Sequence, residues 1–132
     1  MGEAKALGLH RAVVSSSRRS WVEGHLATLG LGSHFEVLFC GKEGLPGKPD
    51  PALYQAAVSH FGIEPGEVLA LEDSQSGLAA AKAAGLWCVV APNALTMRMD
   101  LSKADRQVTS LEVSLREMGE FLNLEIGNGK RE

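Results

Sequence analysis

Cysteine is scarce in this chain, and its scarcity excludes two kinds of scaffold. Cys40 and Cys88 each sit inside an apolar stretch that reads as a strand, with no CxxC pair or Cys/His cluster nearby. A disulfide framework and a zinc knuckle are therefore excluded, and two buried free thiols are expected. No apolar run approaches the roughly 18 to 20 residues of a membrane helix, and the N-terminus lacks the positive segment and apolar stretch of a secretory signal. The expectation is a cytoplasmic protein with no membrane partner. Basic residues number 13 against 16 acidic, a net charge of -3, so no overall basic field exists to hold a nucleic-acid backbone, and no nucleic acid is expected as a partner. His10, His25, His34 and His60 are scattered, without HExxH or another metal-ligand spacing. The phosphate loop GxxxxGKS/T, the dinucleotide fingerprint GxGxxG and the nucleophile elbow GxSxG are also absent, and those enzyme classes lose support.

What remains is a chain of 132 residues, 45% apolar and 22% charged, which suits one domain, here residues 1–124, followed by a polar, Gly-containing tail at 125–132 expected to be disordered. Short β-rich runs alternate with helical patterns, and this alternation predicts an α/β fold with a parallel sheet covered by helices. The runs lie at residues 11–15 (RAVVS), 35–40 (FEVLFC), 68–72 (VLALE) and 87–91 (WCVVA). After the first comes a helix with Trp21, Val22, Leu26 and Leu29 at helical spacing, ended by Gly30 and Gly32. The loop GKEGLPGKPD at 41–50 excludes regular structure; Asp50 can then cap a helix that begins at Pro51, with Leu53, Ala57 and Phe61 on one face and Gly62 past its end. An Ala-rich helix spans 76–84. Residues 93–106 read as a surface segment, and a capping box at 109–112 opens a last helix striped by Leu111, Leu115, Met118 and Leu122. Trp21 and Trp87 are expected in the core. At the start, residues 3–7 read as the closing turns of a helix capped by Gly8, which suggests a stub or the later part of something longer.

Ligands of a parallel α/β sheet bind at the C-terminal edge of its strands, so the polar residues that end each run are the candidates. Ser15, Ser16 and Ser17 end the first run and lead into a helix that opens with Arg18 and Arg19. Hydroxyls beside free helix amides cradle phosphate oxygens, although serines there also simply cap helices. Lys48, held between Gly47 and Pro49, is placed to neutralise a phosphate or an acidic nucleophile, or to stay a solvated loop lysine. Glu72 and Asp73 close the third run, and adjacent acids at a strand end repel unless a cation or a lysine offsets them. Hard oxygens of this kind suit magnesium with several retained waters; the plainer reading is that Asp73 caps the next helix.

Taken together, VVSSS at 13–17, GKPDP at 47–51 and LALEDSQSGLAAAKAAG at 69–85 resemble the haloacid dehalogenase superfamily, in particular the subgroup of beta-phosphoglucomutase, phosphoglycolate phosphatase and small sugar-phosphate phosphatases. The resemblance covers residues 3–122. It implies a Rossmann-like core, a parallel sheet with helices on both faces, and Mg2+-dependent phosphatase or phosphomutase chemistry on a small phosphorylated metabolite such as a sugar phosphate. By position, Ser15 matches the hydroxyl that binds the transferring phosphoryl group and Ser16 adds a backbone amide. Lys48 matches the lysine that stabilises nucleophile and phosphate. Asp73 matches the acid that binds magnesium directly, Glu72 acts behind it or through water, and Arg18 or Arg19 falls where related enzymes contact substrate.

The chain also departs from that pattern, because the superfamily's DxDGT motif, with its aspartate nucleophile and aspartate acid/base, is absent. The aspartates here are Asp50, Asp73, Asp100 and Asp105. The resemblance therefore implies the C-terminal part of a core that lacks the first, central strand and the cap domain, and that is catalytically incompetent alone. Losing a central strand exposes backbone that must pair. The expectation is direct pairing of the first and third runs, a homodimer, or a partner N-terminal segment that completes the sheet. The alternative to an enzyme portion is a non-catalytic binding or interaction module of the same fold.

Overall fold

The computed structural model describes residues 2–110 and Glu117. Apart from Glu117, the predicted last helix and the tail lie outside the described residues. In order, the elements are α1 (Gly2–Ala6), β1 (Ala12–Arg18), α2 (Arg19–Leu29), β2 (Val37–Gly41), α3 (Ala52–Phe61), β3 (Leu69–Glu72), α4 (Gln75–Ala83), β4 (Trp87–Val90) and β5 (Arg106–Gln107), with short 3-10 turns at Gly32–His34 and Pro65–Glu67. The α/β alternation is as the sequence predicts.

Local chemistry sets the boundaries. Helices α2 and α3 end at Gly30 and Gly62, both left-handed, with φ of 68° and 63°, a conformation that glycine adopts without steric cost. Asp50 Oδ1 accepts the Ala52 N–H at 2.9 Å, so it serves the first turn as expected, although the helix proper begins at Ala52 rather than Pro51. Ser74 caps α4, its Oγ accepting the Gly77 N–H at 3.2 Å.

The strands do not form one sheet. β1 and β2 make a parallel pair, in register from Ala12 opposite Val37 to Val14 opposite Phe39, with a shift before Arg18 meets Gly41. β3, β4 and β5 make a second parallel sheet. Among the described residues β1 and β3 are not hydrogen-bonded to each other, so the expected direct pairing of the first and third runs does not occur. The halves are joined instead by helix packing and one core: α3 packs on β1, β2 and α4, and Val14 of β1 packs against the cluster of Tyr54, Ala70, Leu78, Ala80, Ala81, Leu86, Cys88, Val90 and Leu101.

Two sequence expectations fail on packing. Trp21 is 57% exposed, stacked on His25 with ring centroids 3.9 Å apart, and Leu29 is 66% exposed, so of the α2 stripe only Val22 is buried. The described elements leave that face of α2 uncovered, and helical spacing alone does not tell a covered stripe from an open one. Residues 93–106 are more than surface: Leu101 and Thr96 are buried, and Asp105 Oδ2 accepts both the Lys82 ammonium and the Cys88 N–H at 2.8 Å, which docks β5 on β4.

Gly41 marks a close approach of the two strand ends, since a Cβ there would lie 1.9 Å from the Ser16 carbonyl oxygen. Gly41→Ala is expected to destabilise the chain by about 1–3 kcal/mol in denaturant unfolding, the usual cost of overpacking; an unchanged midpoint would contradict this register. Both thiols are buried and free, and burial, with Glu72 and Asp105 nearby, pushes the Cys88 thiol up to about 12. An aromatic disulfide reagent at neutral pH is expected to label neither cysteine until the chain is unfolded.

Candidate functional site

The C-terminal ends of β1, β2 and β3 converge on Lys48. The loop after β2 brings the lysine back across β1, where its backbone N–H donates to Ser16 Oγ at 2.9 Å. Gly47 permits this approach, because a Cβ on it would lie 3.0 Å from the same hydroxyl. The Lys48 side chain then runs inward. Its ammonium donates to the Val14 carbonyl at 2.8 Å and to Glu72 Oε1 at 2.5 Å, so one residue touches both half-sheets. An ammonium has three donors, and these bonds leave one for a ligand.

Glu72 is almost entirely enclosed, its side chain 7% exposed against 12% for Lys48. The Tyr54 hydroxyl donates to the same Oε1, and the Tyr54 ring lies 5.1 Å from the Lys48 ammonium. On its other side Oε2 fits against bare backbone, where a Cβ on Gly77 would lie 1.9 Å away. Burial, reinforced by the neighbouring Glu72 carboxylate, raises the Tyr54 hydroxyl far above its usual range, so it stays protonated and donates. A buried charge pair of this kind fixes geometry more than it stabilises, because desolvation offsets much of the attraction.

Asp73, the next residue, is exposed. Ser74 does the capping, so Asp73 is not used as the cap that the plainer sequence reading gave it. The Asn93 amide donates to Asp73 Oδ2 at 3.5 Å. The adjacent acids therefore divide: Glu72 turns into the core as the lysine's counter-ion, and Asp73 faces outward at the strand end.

The structure brings Ser16, Lys48 and Glu72 together, but it places the other candidates differently. Ser15 Oγ folds back to accept the Ser17 N–H at 3.1 Å, so the hydroxyl that meets the Lys48 loop belongs to Ser16, from which the sequence reading expected only an amide. Arg18 is exposed. Arg19 turns to the outer edge of β2, bonding Glu43 at 2.6 and 3.1 Å and the Leu38 carbonyl at 2.8 Å. The pairing lifts the Arg19 guanidinium and lowers the Glu43 carboxyl from their ordinary values. The groove that Arg19 lines with Leu26, Phe35 and Leu38, about 530 Å³, is therefore separate from the Lys48 site. Sequence reasoning missed Tyr54 and Gly77. Tyr54 is the chain's one tyrosine and precedes Ala57 by three positions, a spacing that places both on one helix face.

This geometry has relatives. The haloacid dehalogenase-like hydrolase profile matches residues 1–85, a span that contains Ser15 to Ser17, Lys48, Glu72 and Asp73. The YhcW protein of Bacillus subtilis (strain 168) is 40% identical over 124 residues, covering 93% of this chain and 56% of YhcW. CbbY of Rhodobacter sphaeroides, solved with phosphate, superposes at a TM-score of 0.79 with 35% identity over 83% of this chain and 50% of CbbY; a variant of it was solved with xylulose-(1,5)bisphosphate. The beta-phosphoglucomutase of Clostridium difficile, at 20% identity and a TM-score of 0.79 over 92% of this chain and 52% of its own, shares the fold. The chain thus spans about half the length of the relatives it matches. With that profile covering more than half of its residues, the chain belongs to the haloacid dehalogenase-like hydrolases.

Proposed function

We propose that this chain supplies the Lys48 side of a phosphoryl-transfer site, that of a magnesium-dependent phosphatase or phosphomutase acting on a small phosphorylated metabolite, with a sugar phosphate as the substrate class. The observation that carries the reading is the Lys48 ammonium, held by the Val14 carbonyl and Glu72 while the Lys48 backbone is tied to the Ser16 hydroxyl at the end of β1. A phosphoryl group needs positive charge and N–H donors around its oxygens. Here Lys48 offers the charge, and the Ser16 backbone amide at the end of β1 would offer a donor, the Ser17 N–H being taken by Ser15 Oγ. Ser15, whose Oγ accepts the Ser17 N–H and keeps its own O–H to donate, would bind the transferring phosphoryl group, and Arg18 would contact the remainder of the substrate. The relative solved with xylulose-(1,5)bisphosphate supports the sugar-phosphate class.

Magnesium suits the donor chemistry. Among the described residues no group of three His, Cys, Asp or Glu side chains is gathered to enclose a metal, whereas Asp73 presents one exposed hard carboxylate. An ion that keeps most of its waters and takes one or two carboxylates fits that set. Asp73 would hold it directly, while Glu72, enclosed and already bonded to Lys48 and Tyr54, would act behind it by fixing Lys48. When bound, the ion would offset phosphoryl charge.

No aspartate precedes residue 50, so in this reading the chain alone lacks a nucleophile and is inactive. The gap between β1 and β3 would be completed by an N-terminal segment or by a second copy of the chain. The reduced, buried thiols and the absence, among the described residues, of a helix long and apolar enough to cross a membrane support a cytoplasmic setting.

The test is magnesium-dependent phosphate release from an aryl phosphate by the purified chain, with calorimetric magnesium binding in parallel. No turnover is expected, together with magnesium binding that Asp73→Asn abolishes. Turnover that Asp73→Asn removes would show that another residue serves as nucleophile. Absence of magnesium binding would favour a non-catalytic binding module.

A further inference from the structure

Tyr54 is the feature of the site that the reading of Lys48 does not require. It lies on α3, 6% exposed, within the cluster of Ala70, Leu78, Cys88 and Val90. Phenylalanine would fill that space without the cost of burying a hydroxyl. The hydroxyl instead reaches the one carboxylate oxygen that also takes the Lys48 ammonium, and the ring lies 5.1 Å from that ammonium. A single side chain therefore touches both members of the ion pair.

We propose that Tyr54 is the positioning residue of this site: its hydroxyl fixes Glu72 and its ring backs Lys48, so that the ammonium is held at the gap between β1 and β3 with one N–H left for a phosphoryl oxygen. The proposal deepens the phosphoryl-transfer reading and rests on it for the identity of the ligand. The physical case is that Lys48 ends a flexible four-carbon stem and stands on a loop rich in glycine and proline, which does not by itself choose one rotamer. The bare backbone of Gly77 lies against Oε2 and offers Oε1 no hydrogen-bond donor. Tyr54 closes the remaining side. Without its hydroxyl, Oε1 keeps one donor, the carboxylate regains freedom to rotate, and the ammonium follows it.

The experiment uses the full chain, labelled with 15N, and reads two quantities: solvent exchange of the Lys48 ammonium protons, assigned by their loss in Lys48→Met, and affinity for inorganic phosphate. In the wild-type chain a protected Lys48 ammonium signal is expected. Tyr54→Phe is expected to keep the amide protection of β4, to speed ammonium exchange about tenfold and to weaken phosphate binding about five- to tenfold, the scale of a lost hydrogen bond to a charged group. Core packing alone would move neither quantity. Exchange and affinity both within twofold of wild type, or no protected ammonium in the wild type, would overturn the proposal. Should Tyr54→Phe fail to fold, biosynthetic ring-fluorinated tyrosine, which enters at this position alone because the chain has one tyrosine, decides instead: altered ammonium exchange supports the role and unaltered exchange overturns it. A wild-type chain that binds no phosphate would sink the phosphoryl-transfer reading, while ammonium exchange would still decide the role of Tyr54.

Discussion

The Lys48 ammonium is the point on which the two half-sheets depend. It donates to a carbonyl of β1 and a carboxylate at the end of β3, while its own backbone N–H is held by Ser16. β1 and β3 share no hydrogen bonds among the described residues, so this polar clasp, with α3 packing across the halves, sets how the strand ends face each other. Its strength as a fixture comes from enclosure. An exposed pair such as Arg19 with Glu43 is screened by water and salt, whereas Glu72 and Lys48, both largely out of water, are strongly penalised if one loses the other.

The clasp also explains why two adjacent acids take different work. A strand alternates its side chains between faces, so Glu72 and Asp73 point apart where β3 ends. Glu72 meets Lys48, Tyr54 and the bare backbone of Gly77, while Asp73 meets solvent because Ser74 satisfies the first turn of α4. One acid is thus removed from repulsion by a lysine, and the other is left available to a cation at the same edge.

Much of this was legible in the sequence. Alternating periodicities carry the α/β class, and the placing of Lys48 and the acid pair at strand ends marks the candidate site. What was not legible depends on long-range contacts. A two-residue strand such as β5 has no period to detect, and it is held by Asp105 bonds to Lys82 and to the backbone of Cys88. Trp21 sits at a stripe position that the described elements leave uncovered. The Ser16 hydroxyl rather than that of Ser15 meets the Lys48 backbone where the β1 register shifts between Val14 and Arg18, which alternation along a strand does not anticipate. That β1 and β3 stay unpaired among the described residues, with Lys48 bonding a carbonyl of one and a carboxylate of the other, depends on long-range packing that no local pattern carries.

The most direct test of the clasp is a double-mutant cycle on unfolding free energy, with Lys48→Met, Glu72→Gln and both together. Residues in one buried network couple by about 0.5–3 kcal/mol, and separate ones add to within about 0.5 kcal/mol. A coupling of at least about 1 kcal/mol is predicted here, each single variant costing more than its share of the double. Additive losses would contradict the account, because Lys48 and Glu72 would then stabilise the halves independently and the open edge would be held by something else.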